Sequence, residues 1–152
     1  VRRSHGPVVA RSASLAHPSS AAACRARLRN SFVVREHFAR AAELSPSDAT
    51  SRHLLGVWCF SVASLSWIEQ KAAAALFASP PRSSFEEALQ HFELAEKIEP
   101  DFYPKNKLLM AQACAKLGRK EEAQKWLESC RRSTPKTPED EQTLAEAAKL
   151  KL

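Results

Sequence analysis

The sequence predicts an all-α fold: antiparallel helix pairs stacked in series, with one inserted helix and a C-terminal capping helix. Three observations on its 152 residues carry that prediction. A ten-residue phrase is written twice, HFARAAELSP at 37–46 and HFELAEKIEP at 91–100. A weaker third copy keeps Leu127, Cys130 and Pro135 at the corresponding places. A companion motif precedes the second and third copies, as LLGVWC at 54–59 and LMAQAC at 109–114.

Each copy reads large apolar, small three residues later, and Pro five beyond that: Phe38, Ala41 and Pro46, then Phe92, Ala95 and Pro100. Residues three or four apart share a helix face, so the large and small side chains point at one neighbour, and the small one permits close approach. Proline then ends the helix, because it lacks the N–H that the next hydrogen bond needs. Leu55, Gly56 and Cys59 stand at the Leu, Gly and Tyr places of the tetratricopeptide signature, and Met110, Ala111 and Cys114 do the same downstream. The A-x₃-F element appears as Ala88 with Phe92 and as Ala123 with Leu127, the latter after a turn at Gly118. The fold class is therefore a tetratricopeptide-like solenoid.

The elements follow in order. Residues 31–46 are a second-helix half repeat. The repeat over 49–100 is too long, since the two phrases stand 54 residues apart, about twenty more than the 34-residue period. The excess lies near 65–83, where Ser66 with Glu69 forms a capping box, an Ala-rich run follows, and Ser79–Pro80–Pro81 stops it. An extra helix is expected at about 67–78, and a second box, Ser84 with Glu87, opens the next one. Residues 104–137 make a complete repeat. Thr137–Pro138–Glu139–Asp140 then starts a capping helix over 138–150, with Pro in its first turn and acids at the positive end of its dipole.

Residues 1–30 stand apart. They carry six Arg and neither acid nor Lys, whereas the rest of the chain balances seventeen basic against seventeen acidic residues. This Arg-, Ser- and Ala-rich stretch is expected to be a disordered basic leader, and its composition also fits a mitochondrial transit peptide. No run of eighteen apolar residues exists, so no transmembrane helix is expected.

No catalytic constellation, phosphate-cradling loop or metal-ligand spacing is present, so neither an enzyme nor a cofactor or metal is expected. Cys24, Cys59, Cys114 and Cys130 form no C-x-x-C pair and read as free thiols, the last three packed in slots of the repeat. His37 and His91 share a repeat position and read as structural. Trp58, Trp67 and Trp126 read as core anchors, so nucleic acid is not an expected partner. Charge is the informative surface signal. Residues 31–103 hold six basic and ten acidic residues, whereas 104–136 hold nine basic and three acidic. Lys105, Lys107, Lys116, Arg119, Lys120, Lys125, Arg131 and Arg132 in that second stretch are expected to meet an acidic partner, with a strength that falls as salt rises.

At HLLGVWCFSVASLSW, ALFASPPRSSFEEAL and HFELAEKIEPDFYPKN the sequence resembles the regulator of microtubule dynamics family, over about Ser31 to Lys149 and not over 1–25. The resemblance implies a cytoplasmic, microtubule-associated protein at spindles and spindle poles, with tubulin as the acidic partner. It implies a second reading from a longer, mitochondrially anchored member: a lipid-binding module in which Trp67, Ile68, Leu76 and Phe77 line an apolar pocket. It also implies helices before residue 31, without which the 31–45 helix lacks a packing partner. A chaperone-tail adaptor is not expected, because His53 and Val57 stand where a Lys/Asn carboxylate clamp is needed.

Overall fold

The computed structural model describes residues 21–76, 80 and 82–152, with side chains from Asn30 onward except those of 72 and 76. Among these residues all regular structure is helical: α1 (Ala21–Leu44), α2 (Ala49–Ala63), α3 (Trp67–Leu76), α4 (Phe85–Ile98), α5 (Pro104–Lys116), α6 (Lys120–Arg131) and α7 (Pro138–Lys149). The chain is an all-α, tetratricopeptide-like solenoid. α2 pairs with α4 and α5 with α6; α4 against α5 joins the two repeats, α1 lies on α2, and α7 caps α5 and α6. α3 is the inserted helix and leans on α1.

Local chemistry sets the boundaries. The Asp48 carboxylate accepts from the Thr50 and Ser51 amides to open α2, and such caps contribute about 1 kcal/mol each. Ser66 and Glu69 exchange both bonds of their box before α3, at 2.8 and 3.4 Å. Thr137 and Asp140 do so before α7. The box at Ser84 forms only by half: Ser84 accepts from the Glu87 amide, but the Glu87 carboxylate takes the Ser83 hydroxyl instead, at 2.6 Å. Gly118 adopts φ +74°, and the Arg119 amide returns to the Cys114 carbonyl at 2.9 Å. That left-handed residue closes α5, which is why a residue without Cβ stands there.

The packing follows the large-into-small pattern. Phe92 is fully buried, and its ring lies so close to Gly56 that an added Cβ would stand 2.5 Å from the ring carbon Cε1. Ala88 and Ala95 are buried on the same helix as Phe92, and Leu55 is buried on α2. In the second repeat Leu127 packs with Ala111, Cys130 and Ala147 of the cap, while Ala123 joins the Phe92 cluster. Fully burying one such large side chain contributes about 1.5–3 kcal/mol.

A buried polar hub ties α2, α4 and α5 together. Asn106, wholly buried on α5, donates from Nδ2 to the Phe92 carbonyl at 3.0 Å. Its Oδ1 lies 2.9 Å from His53 Nδ1. With the amide so oriented Oδ1 accepts, and His53 must donate from Nδ1.

Three expectations need correction. Helix α1 begins at Ala21, inside the stretch read as a disordered leader; residues 1–20 lie outside the described residues. Charge composition drew that boundary, yet 21–29 is Ala, Arg, Leu and Cys without Gly or Pro, and most of these residues favour helix strongly. Phe38 is only half-buried and Ala41 likewise, unlike Phe92 and Leu127, because α1 packs against α2 and α3 alone among the described helices. Trp67 is no core anchor: it is 67% exposed, whereas Trp58 is buried and donates to the Ser31 carbonyl at 2.8 Å. α3 is described to Leu76, and the Ser79–Pro80–Pro81 stop falls mostly outside the described residues.

Candidate partner-binding surface

The cations of 104–136 fall into two groups once folded. The ammonium of Lys107 is buried, its side chain 4% exposed, and it pairs with Asp101 and reaches Ser133 Oγ at 3.4 Å. Asp101 sits at φ 61° in the turn before α5, so this pair fastens a strained corner. The ion pair also holds the Asp101 carboxyl below its ordinary range. Arg131 donates from Nε to the Ala147 carbonyl at 3.0 Å and from Nη2 to the Leu150 carbonyl at 2.9 Å. It thus satisfies the C-terminal end of α7, where a cation also complements the helix dipole. Lys105 meets Glu146 of α7 at 2.6 Å. Sequence charge alone placed these three on a partner-facing surface; the fold spends them on its own joints.

The second group stays in solvent. Lys116, Arg119 and Lys120 are exposed at the α5–α6 hairpin around Gly118, with Lys125 one turn further along α6 and Arg132 at its far end. Arg119 makes a long pair with Glu122 at 3.8 Å, both about half-exposed, a geometry that holds little energy. Lys125 Nζ lies 5.8 Å from the centre of the Trp126 ring. Among the described residues, Lys116, Lys120, Lys125 and Arg132 enter no ion pair. Arg119 and Lys120 also stand at the positive end of α6, where cations weaken the helix. The hairpin therefore exposes a set of cations that the fold itself does not use.

A second concavity lies beside α3. A cleft of about 480 Å³ is lined by Val62, Leu65, Trp67, Lys71, Pro80 and Arg82 among others, with the Lys71 ammonium 4.3 Å from the Trp67 ring centre. Of the four residues expected to line an apolar pocket, Trp67 does so. Ile68 does not line the cleft and is 72% exposed. Phe77 and the side chain of Leu76 lie outside the described residues.

The cysteines are packed. Burial raises the thiols of Cys59 and Cys130 above their ordinary value and pushes Cys114 up to about 11. A thiol so held is protonated and unreactive at neutral pH; the side chain of Cys24 is outside the described residues. His37 is exposed while His91 is half-buried, so their shared repeat position does not give them shared surroundings.

Stacked helix pairs with a solvent-facing basic hairpin define the class: a tetratricopeptide-like helical-repeat scaffold. The crystal structure of PcrH in complex with the chaperone binding region of PopD shares this fold, at TM-score 0.55 over 84% of this chain and 83% of that one, with 18% sequence identity. A family profile described as "Regulator of microtubule dynamics protein 1-3" matches residues 13–151, and the chain belongs to that family. The match starts well before Ser31, so the family pattern includes part of the stretch set aside as a leader. The chain is 44% identical over 126 residues to regulator of microtubule dynamics protein 1 of Bos taurus, covering 83% of this chain and 40% of that protein. The human protein 1 is 43% identical over 126 residues, again 83% of this chain and 40% of the relative. Protein 3 of Rattus norvegicus is 41% identical over 101 residues, 66% of this chain and 21% of the relative. The chain thus spans about two-fifths of the length of the protein 1 relatives it matches.

Proposed function

We propose that this chain is a non-enzymatic, microtubule-binding scaffold that regulates microtubule dynamics, engaging the acidic tubulin surface through Lys116, Arg119, Lys120, Lys125 and Arg132. The observation that carries this reading is the set of exposed cations at the α5–α6 hairpin and along α6 to Arg132, which internal ion pairs leave largely uncompensated. The names of the family members support the choice of microtubules as the acidic surface. Action at the cytoskeleton, and at spindle poles in particular, belongs to the same reading.

Co-sedimentation with polymerised tubulin tests it. The chain is expected to pellet with microtubules at low ionic strength and to be released as salt rises, because solvent-exposed charges are screened beyond about 10 Å at 0.1 M. The combined variant Lys116→Glu, Lys120→Glu, Lys125→Glu should keep the helical circular-dichroism spectrum and lose affinity by about tenfold or more, since like charges then face each other across the contact. Wild-type binding that ignores both salt and these substitutions sinks the reading. Pelleting with phosphatidylserine vesicles but not with microtubules favours the lipid-binding alternative, for which the exposed Trp67 and the cations Lys71 and Arg82 of the α3 cleft are the supporting feature.

A further inference from the structure

We propose that Cys59, Glu87 and His91 form a zinc site that clamps α2 to α4. The Cys59 sulfur, a Glu87 carboxylate oxygen and a His91 ring nitrogen lie within 4.8 Å of one another. Glu87 and His91 stand four apart on α4 and so share the face turned to α2, from which Cys59 projects. Zinc bonds of about 2.0–2.3 Å set tetrahedral ligand atoms roughly 3–4 Å apart, a contraction within reach of side-chain rotation.

Two members of the trio, His91 and Glu87, are hard to account for by packing alone. Cys59 is 1% exposed and sits in the core cluster of Phe92. His91 Nδ1 is buried without a hydrogen-bond partner among the described residues, a condition buried polar atoms rarely keep. The Glu87 carboxylate has left its expected place in the helix cap and is held by the Ser83 hydroxyl at 2.6 Å. That bond is the kind of outer contact that orients a metal-binding carboxylate. Ser83 also lines the cleft beside α3, which provides a route from solvent.

Zinc with one thiolate, one carboxylate and one neutral imidazole sums to zero. The free trio, with a protonated thiol, carries the single negative charge of the carboxylate, so binding zinc and releasing the thiol proton raises the local charge by one, beside Arg35 and Arg52, both of which act on His91 electrostatically. Burial already keeps His91 toward its uncharged, ligating form. The Cys59 proton leaves to solvent as the Zn–S bond forms. Sulfur, nitrogen and oxygen together suit zinc, while the thiolate disfavours magnesium and calcium. The fourth position is open to water or the Ser83 hydroxyl. The spacing escaped sequence reading because Cys59 and the Glu87–His91 pair come from helices separated by the insertion.

The test uses the reduced 152-residue chain, stripped with a chelator and titrated with cobalt(II) as a spectroscopic probe for zinc. One equivalent should bind with a thiolate-to-cobalt charge-transfer band, and zinc should abolish the band by displacement and raise the melting temperature. Cys59→Ser should remove the band, while Cys24→Ser, Cys114→Ser and Cys130→Ser keep it. Ser83→Ala should weaken affinity by about 10- to 100-fold. Glu87→Gln, which preserves shape, serves should Cys59→Ser fail to fold: it should weaken binding and alter the visible cobalt spectrum. Absence of a thiolate–cobalt band in the wild type, its survival in Cys59→Ser, or an unchanged titration in Glu87→Gln overturns the proposal. The outcome is independent of microtubule binding.

Discussion

The two repeats use one packing rule and different amounts of buried polarity. In the interrupted repeat, α2 and α4 close on Phe92 against Gly56, and around that contact lie His53, Asn106, Cys59 and His91. In the uninterrupted repeat, Leu127 sits among Ala111, Cys130 and Ala147, and most cations are carried outward, Lys107 and Arg131 being used at the fold's own joints. Asn106 belongs to α5 but points its amide into the first repeat, at the Phe92 carbonyl. The difference teaches that a helical repeat can spend its polar residues either on internal specificity or on its surface. Here the first repeat gathers them mainly inside and the second mainly outside, with Asn106 and Lys107 of α5 as the buried exceptions.

Truncating the large residue of each repeat should separate them most. Phe92→Ala removes a fully buried ring at the junction of α2, α4 and α5 and should cost about 3–5 kcal/mol in urea unfolding. Leu127→Ala should cost about 2–5 kcal/mol and lie toward the lower end, because α7 can settle into the space. If Leu127→Ala proves the more damaging, the first repeat is not the structural centre and the comparison fails. A smaller effect distinguishes the two glycines. At Gly56 a methyl group would strike the Phe92 ring, which is walled in, so Gly56→Ala should lose about 1–3 kcal/mol from overpacking, offset by about 0.5–1 from helix propensity. At Gly118 nothing lies within 4 Å, and the cost of Gly118→Ala, about 1–2 kcal/mol, is that of a left-handed backbone. Asparagine reverses the ranking, since it tolerates φ > 0 but is larger: it should be milder than alanine at Gly118 and worse than alanine at Gly56.

These paired effects show which parts of the molecule could be read in the sequence. Phe92 and Leu127, and likewise Gly56 and Ala111, hold equivalent places in a repeated motif, and periodicity reports contacts between elements that are adjacent in a regular stack. The insertion was visible for the same reason, as a break in the interval, and its Ser66–Glu69 start was a local motif. What escaped was whatever depends on pairing across the stack. Counting charges could not tell that Lys107 and Arg131 turn inward, because their partners, Asp101 and the α7 carbonyls, are supplied by the neighbouring turn and the capping helix. Nothing in a one-dimensional pattern brings Cys59 to Glu87, or His53 to an asparagine 53 residues away. The start of α1 was missed by letting charge outweigh helix propensity over 21–30.

His53 offers the gentlest way to sharpen the comparison, because its effect appears only on acidification. Burial lowers its basicity below the ordinary value of 6.5, outweighing the Asn106 bond, which acts the other way, while Glu139 raises and Lys105 lowers it further. Burial lowers His91 similarly. In the unfolded chain both take up a proton near pH 6.5, whereas the folded protein resists doing so until lower pH. The unfolded state then binds more protons, and stability must fall as pH drops. The contribution is complete above 6.5 and is lost progressively below it, on the way to the depressed folded values. Urea midpoints measured from pH 8 to pH 5 with a chelator present should therefore be flat at first and then decline. His53→Asn can still donate to the Asn106 oxygen and takes up no proton, so it should make that decline shallower. An acid response unchanged by His53→Asn would mean that burial does not hold this imidazole neutral, and that the interrupted repeat buries less polarity than its geometry indicates.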